Sequence, residues 1–301
     1  MDLGLVHAPV TPFTRAGRVD FEVYSRLIEF HLRNGADALA LPMHAGESVS
    51  LTEAERHALL EFAVKQVRGR VPIVAHVSDA GTGIAAAHAR HAEAAGAAAV
   101  VATTPYYWTP PPAMVLEHFT QIAAAVTIPF LVHNAPEEMQ GTRITAELAL
   151  KLIDRARNFA GVVDSSLDWQ FMVELVDAAR GPRPGFRLLP GVEYMVSAGA
   201  IGAKGAFSSL AAVAPAAVRN LYDFCRKDQL FEARGVQEEI AALLQLAGKT
   251  GAAGLKAALR ALGRDCGEVR PPLRPLGEVE YGALAERLGG LALLRAEPKG
   301  W

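Results

Sequence analysis

The chain has 301 residues, 51% hydrophobic and 21% charged, with a formal net charge of −2. That composition suits a folded globular chain, not a disordered, collagenous or coiled-coil one, and it carries no basic footprint for nucleic acid. Two cysteines, Cys225 and Cys266, supply neither a disulfide framework nor a zinc ribbon, and the alanine-rich run at 92–102, broken by Glu93, is too short to span a membrane. The opening Met1-Asp2-Leu3-Gly4 has no leader character, so a soluble cytoplasmic α/β protein is expected.

Short apolar runs alternate with longer amphipathic stretches. Strands are predicted at residues 5–10, 38–43, 72–77, 98–103, 129–133, 159–163, 186–189 and 205–208, with helices at 21–33, 52–67, 83–95, 113–126, 145–157 and 168–179 between them. The strand runs are nearly continuously apolar, as a parallel sheet covered on both faces requires. Asp20 and Thr52 stand at expected helix starts, and Gly35, Gly96 and Gly181 at expected helix ends. Eight such units fit a closed (β/α)8 TIM barrel better than an open doubly wound sheet. From Pro215 onward the pattern is helical only. A prior of roughly 150 residues per domain would give two domains, yet no low-complexity linker divides the chain. The expectation is one structural unit: a barrel over 1–225 with a helical C-terminal extension over 226–301 packed on it. Barrel sites lie at the C-terminal strand ends, here near residues 7–15, 43–48, 76–82, 103–112, 133–143, 163–168, 190–194 and 207–210.

Those positions carry an ordered set: Ala8-Pro9-Val10-Thr11-Pro12-Phe13, Gly46-Glu47-Ser48, Thr104-Pro105-Tyr106-Tyr107, Asn134-Ala135-Pro136, Gly161 with Asp164-Ser165-Ser166, Gly191, and the Gly199-Ala200-x-Gly202-Ala203-x-Gly205 lead into strand eight. The set resembles the dihydrodipicolinate synthase / N-acetylneuraminate lyase family of (β/α)8 barrels, across almost the whole chain. The resemblance implies a homodimer or homotetramer and an aldolase-type lyase. In that family a lysine on strand six forms a Schiff base with pyruvate or a related 2-oxo acid.

The departures from that pattern are specific. Where the family has Gly-x-Lys, this chain reads Gly161-Val162-Val163, followed by Asp164. Valine has no amine and forms no imine. Lys65, Lys151, Lys227, Lys249, Lys256 and Lys299 fall in predicted helices or the tail, and Lys204 precedes strand eight at the opposite face, so no lysine stands at a strand's C-terminal end. The resemblance places His44 and His133 at two hydroxyl relay positions and Tyr107 at the relay tyrosine that reaches into a neighbouring subunit. It places Ala45 where a hydroxyl residue helps hold the substrate carboxylate. Glu137-Glu138-Met139 stands where the synthases carry a carboxylate-binding arginine, and Arg143 comes late in the loop. Carried over residue by residue, the catalytic positions are His44, Tyr107 and His133. The substrate-binding positions are Ala45, Gly46, Glu47, Tyr106, Asn134, Val163, Asp164, Gly191, Glu193 and Ser208.

Four histidines fall at or near predicted strand ends: His7, His44, His76 and His133. Imidazole titrates near neutrality and binds metals, so the pattern suits acid–base chemistry or an ion. Position places His44 and His133 in the pocket and leaves His76 open, while His7, of opposite parity to Ala8, points towards the helices. No fixed-spacing ligand motif supports a metal, so no cofactor is expected; a divalent ion at His44, His76 and His133 is the alternative. Asp79, Glu137, Glu138, Asp164 and Glu193 lie near the predicted mouth. They favour a neutral or cationic small molecule over an anion, unless the loop glutamates are merely solvated.

Other apparent motifs are weak. Gly248-Lys249-Thr250 lacks the earlier glycine of a phosphate loop, with Leu243 in its place. Gly81-x-Gly83 has no acidic residue ending the next strand. His88 and His91, beside Arg90 and Glu93, read as a solvated or subunit-facing helix surface, and Trp108 with Pro110-Pro111-Pro112 as a lid or a subunit contact. Three functions compete: a family lyase running on His44, His133 and Tyr107 without an imine, a non-catalytic sensor or scaffold, and a conventional pyruvate-dependent synthase or aldolase.

Overall fold

The computed structural model describes residues 3–137, 142–191, 194–248 and 250–301. In chain order β1 (Leu5–His7) leads to α1 (Phe21–Arg33), β2 (Ala38–Leu41) to α2 (Glu53–Val67), β3 (Ile73–His76) to α3 (Thr82–Ala95) and β4 (Ala99–Thr103) to α4 (Pro112–Ala124). The second half repeats the unit with β5 (Phe130–Asn134) and α5 (Ala146–Arg155), β6 (Phe159–Asp164) and α6 (Trp169–Arg180), β7 (Arg187–Pro190) and α7 (Met195–Ala200), β8 (Ala206–Ser208) and α8 (Pro215–Arg226). The tail adds α9 (Leu230–Leu243), α10 (Ala252–Ala261) and α11 (Glu278–Gly290).

All neighbouring strands pair in parallel in the order β7-β6-β5-β4-β3-β2-β1-β8, and a parallel bridge from Gly191 to Phe207 draws β7 onto β8. This is the expected (β/α)8 TIM barrel. Its strands are shorter at some ends than the apolar runs predict. β1 stops at His7 and β2 at Leu41, because Pro9 and Pro42 have no N–H to give to the ladder.

Local chemistry sets the helix ends. The Asp20 carboxylate accepts from the N–H of Val23 at 3.0 Å, and Thr52 and Glu55 form a reciprocal capping box at the start of α2. Gly96 ends α3 at φ 96°, a conformation that glycine adopts without a Cβ clash. Gly181 follows α6 but stays right-handed at φ −77°, so the expected glycine cap is not formed there.

Alternation along each strand divides the core in two. Val6, Ala38, Ala40, Val74, Ala99, Val101, Leu131, Val163, Leu189 and Phe207 pack together as the barrel lumen. Their sequence neighbours, among them Leu5, Leu39, Val100, Phe130, Val132 and Val162, pack outward against the helices. The tail joins that outer core through Ile240, Leu243, Leu255, Leu284 and Leu288. Arg264, buried over the face of Phe30, donates to the carbonyls of Ala212 and Val213 at 3.2 and 3.1 Å. Arg270 pairs with Glu55 at 2.6 Å. Among the described residues, no helix is long and apolar enough to cross a membrane.

Candidate active site

The lumen changes character at its C-terminal end, where parity carries polar residues inward. Two positions beyond Val74 on β3 stands His76. Two beyond Val101 on β4 stands Thr103, and two beyond Leu131 on β5 stands His133. Register confirms the layer: Thr103 lies opposite His133, and His133 opposite Val163. These residues open onto a cleft lined by His44, Ser48, Val49, Arg56, His76, Ser78, Thr103, Tyr106, His133 and Ala135.

Hydrogen bonds fix most of this wall. The Ser78 hydroxyl accepts the Thr103 N–H at 2.8 Å and pairs with His76 Nε2 at 2.7 Å. His133 Nε2 meets Ser165 Oγ at 3.0 Å. Arg56, reaching in from α2, donates to the carbonyls of Ser78 and His76 at 3.0 Å each and so locks the end of β3. His76 Nδ1 and Thr103 Oγ1 are buried without a hydrogen-bond partner.

Burial, with His44 adding to it, holds His133 down to about 4. Burial, followed by the Arg56 charge, holds His76 well below the ordinary imidazole range. Both rings are therefore neutral at physiological pH, each with one N–H and one lone pair. Burial, then the Asp79 charge, raises the Tyr106 phenol, which stays protonated.

The expected site residues divide sharply. His44, on the turn after β2, lines the cleft with His76, His133 and Tyr106. His7 turns away, its Nδ1 3.0 Å from His31 Nδ1 under α1. Tyr107 is 86% exposed, in a left-handed conformation at φ 89°, and does not reach the cleft of its own chain. Val163 faces the lumen and is buried. Asn134 and Asp164 follow His133 and Val163 by one residue and so take the outward parity. There Asn134 Nδ2 donates to Asp164 Oδ1 at 2.7 Å, while Asn134 Oδ1 accepts the Ile144 N–H at 3.1 Å. Ser166 and Tyr194 also bond Asp164, and burial raises its carboxyl in spite of them. These two residues brace the loops rather than line the cleft.

Four further positions are held by contacts within the fold. Ala45 packs in the outer core, Gly46 accepts the Thr11 hydroxyl through its carbonyl at 2.6 Å, Gly191 bridges to β8, and Ser208 accepts the Ala211 N–H at 3.1 Å. Glu47 is turned away entirely. Its carboxylate is buried 2.7 Å from Lys256 Nζ and accepts the Arg270 N–H at 2.8 Å. Glu193 lies outside the described residues, as do Glu138 and Met139.

Of the acidic residues expected at the mouth, Glu137 is exposed, while two are engaged by the fold. Asp79 accepts the Gly81 N–H at 2.9 Å, Asp164 is enclosed, and Arg143 pairs loosely with Asp168 at 3.5 Å. Among the described residues, the charged side chain in the cleft wall is the cation Arg56, and no lysine lines it. The sequence reading missed Arg56 because it lies on a helix, not at a strand end. Ser78 and Thr103 fell within the windows it marked, with no motif to single them out. Among the described residues, Glu53, His57 and His88, on the outer face, bring three possible ligand atoms within 4.8 Å of one another.

An eight-stranded parallel barrel with a polar cleft at the C-terminal strand ends is the layout of a (β/α)8 barrel enzyme. Residues 1–289 match the Dihydrodipicolinate synthetase family. The chain is 34% identical over 299 residues to an uncharacterized DapA-like lyase of Halobacterium salinarum, covering 97% of this chain and 96% of that one. It is 31% identical over 293 residues to the 4-hydroxy-tetrahydrodipicolinate synthase of Chlorobium luteolum, covering 97% and 98%. Among solved structures it superposes on YagE, a prophage protein of that family from E. coli K12 in complex with pyruvate, with a TM-score of 0.90 at 27% identity, covering 96% and 99%. The chain therefore belongs to the dihydrodipicolinate synthase family.

Proposed function

We propose that this member of the family is a lyase that handles a small polar carbonyl compound by imidazole acid–base chemistry, without a lysine Schiff base. The observation that carries the reading is the layer formed by Thr103, His133 and Val163, in which strand six offers the lumen a valine and strand five an imidazole. An imine needs an amine, and among the described residues the cleft wall offers none.

In this scheme His133 and His44 exchange protons with the substrate. His133, kept neutral by burial, can accept on one ring nitrogen while the other is held by Ser165. His76 Nδ1, Thr103 Oγ1 and the Tyr106 hydroxyl orient the polar groups of the ligand. Arg56 makes a carboxylate acceptable at the α2 side of the cleft. Tyr107 enters from a second copy of the chain in a homodimer or homotetramer, and the scheme requires no cofactor.

The test pairs two experiments. Borohydride treatment with pyruvate, followed by intact-mass measurement, should leave the chain unmodified; a stable adduct on any lysine overturns the proposal. Substrate screening with 2-oxo acids and aldehydes should then find an activity that His133→Ala lowers by about 10²–10⁴-fold, the usual worth of a positioned proton-transfer group. An activity indifferent to both His133→Ala and His44→Ala overturns the assignment. Ligand binding without turnover would favour the sensor reading, to which the apolar Val163 also lends support.

A further inference from the structure

Helix α2 points two chemistries in opposite directions from adjacent residues. Arg56 runs inward to the cleft, while His57 sits half-buried in a groove between α2 and α3. One turn earlier, at i−4 on the same face, stands the exposed carboxylate of Glu53, and across the groove α3 presents the buried ring of His88. His57 Nε2 lies 3.3 Å from His88 Nδ1, and the ligand atoms of all three residues fall within 4.8 Å of one another.

We infer that Glu53, His57 and His88 form a binding site for a divalent transition-metal ion of the zinc type, outside the cleft. Imidazole nitrogens bind zinc at about 2.0–2.1 Å, and two such ligands at a tetrahedral angle lie about 3.3–3.4 Å apart. The observed separation, bridged without an ion by a hydrogen bond between the two rings, matches that distance, and an ion would take the place of the shared proton. Two imidazoles and one carboxylate form a recurrent zinc ligand set that leaves a fourth position for water. Rigid helices carry all three ligands, and the capping box that anchors the start of α2 begins one residue before Glu53.

A neighbouring ring supports the arrangement. His91 stacks on His57 with centroids 3.6 Å apart and an interplanar angle of 14°, and its Nε2 is held by Glu61 at 2.8 Å. That stack fixes the plane of the His57 ring, as outer-shell partners commonly do for metal-ligating histidines. The burial gradient from exposed Glu53 to buried His88 gives an ion an entry path. The groove shares Arg56 and His76 with the cleft as a common wall, so an ion here would stiffen the outer support of the site without touching its ligand.

The full-length protein, stripped with a chelator and dialysed, is titrated with zinc by calorimetry and with cobalt by visible absorption. One ion per chain is expected, with the intense ligand-field bands of a low-coordinate cobalt site and a metal-dependent rise in the thermal midpoint. His57→Gln and His88→Ala should each weaken binding by at least about 100-fold, and the surface change Glu53→Gln by about 10-fold or more, in line with the cost of lost metal-site contacts. Absence of saturable binding in the wild type overturns the site whatever the variants do. So does one-to-one binding that survives both histidine changes, or that disappears with His133→Ala while His57→Gln keeps it. Circular dichroism confirms that each variant is folded, and Glu53→Gln, at an exposed position, supplies the reading if a histidine variant is not.

Discussion

Replacing Glu47 with glutamine should damage the fold, not a substrate contact. The Lys256 ammonium is enclosed, with 3% of its side chain exposed against 0% for Glu47. It is held by the Glu47 carboxylate at 2.7 Å, the Glu268 carbonyl at 3.0 Å and the face of Phe13 at 4.2 Å. Glutamine keeps the shape and can still accept the Arg270 N–H, but it leaves a buried ammonium without a counter-charge. Breaking such a pair from one side costs about 3–5 kcal/mol, where an exposed pair would cost about 0–1.

Burial already lowers Lys256 below the ordinary lysine range against the opposing pull of Glu47. In the variant that depression deepens. Between the folded value and the unfolded value near 10.4 the unfolded chain then holds more protons, so stability rises with pH across that window and the deficit shrinks towards alkaline pH. Urea midpoints at constant slope measure the loss. The double change Glu47→Gln with Lys256→Met should recover much of it, since apolar replacement of both partners of a buried pair is often neutral or better. A single-variant loss under about 1 kcal/mol would refute the reasoning, as would a double variant no better than the sum of the singles.

Two further outcomes follow from packing and protonation. Burial, then the Arg219 charge, lowers His7 to about 3, and burial, then His7, lowers His31 well below the usual imidazole value. Both depressed groups keep their full contribution above the unfolded value near 6.5 and lose it as pH falls towards 3. The pair should cost roughly 2–3 kcal/mol per pH unit in that window; a urea midpoint unchanged between pH 7.5 and pH 5 would contradict this. Gly161→Ala should cost about 1–3 kcal/mol or more by overpacking, because a Cβ at this point of β6 collides with the carbonyl oxygen of Arg187, its register partner on β7. A variant with the native thermal midpoint would show that the strands can part there.

The barrel was legible because its signals are local and repeated. Eight apolar runs, helix starts such as Asp20 and Thr52, and the αL position of Gly96 each need only a few neighbouring residues. The site was legible only through strand parity. His7, one residue before Ala8, turned out as parity implied, and His133 stands in the lumen two residues beyond Leu131. The same rule, applied one residue further, would have placed Asn134 and Asp164 outside the cleft, but their place in the motif drew them in. Nothing local could pair Glu47 with Lys256, because the two lie on different elements more than 200 residues apart. Two of the five acidic residues expected at the mouth, Asp79 and Asp164, are engaged by the fold for a related reason. Sequence proximity to strand ends cannot tell a carboxylate aimed at the lumen from one already satisfied by a backbone N–H, as Asp79 is by Gly81.

The position of the cleft's basic nitrogen bears most directly on its chemistry. With Val163 opposite His133 in register, this layer of the lumen has an imidazole on β5 and a hydrocarbon on β6. An amine at 163 would lie against the His133 ring, and the two would compete for one proton in a poorly hydrated space where each added charge is costly. Valine removes that competition. It also lets burial keep His133 and His76 neutral together, with Arg56 as the permanent cation behind them. On the mechanism proposed above, such a set would not store a carbonyl substrate as an imine but would hold it by its oxygen and move a proton to and from the adjacent carbon, with Thr103 and His76 in the same cleft wall.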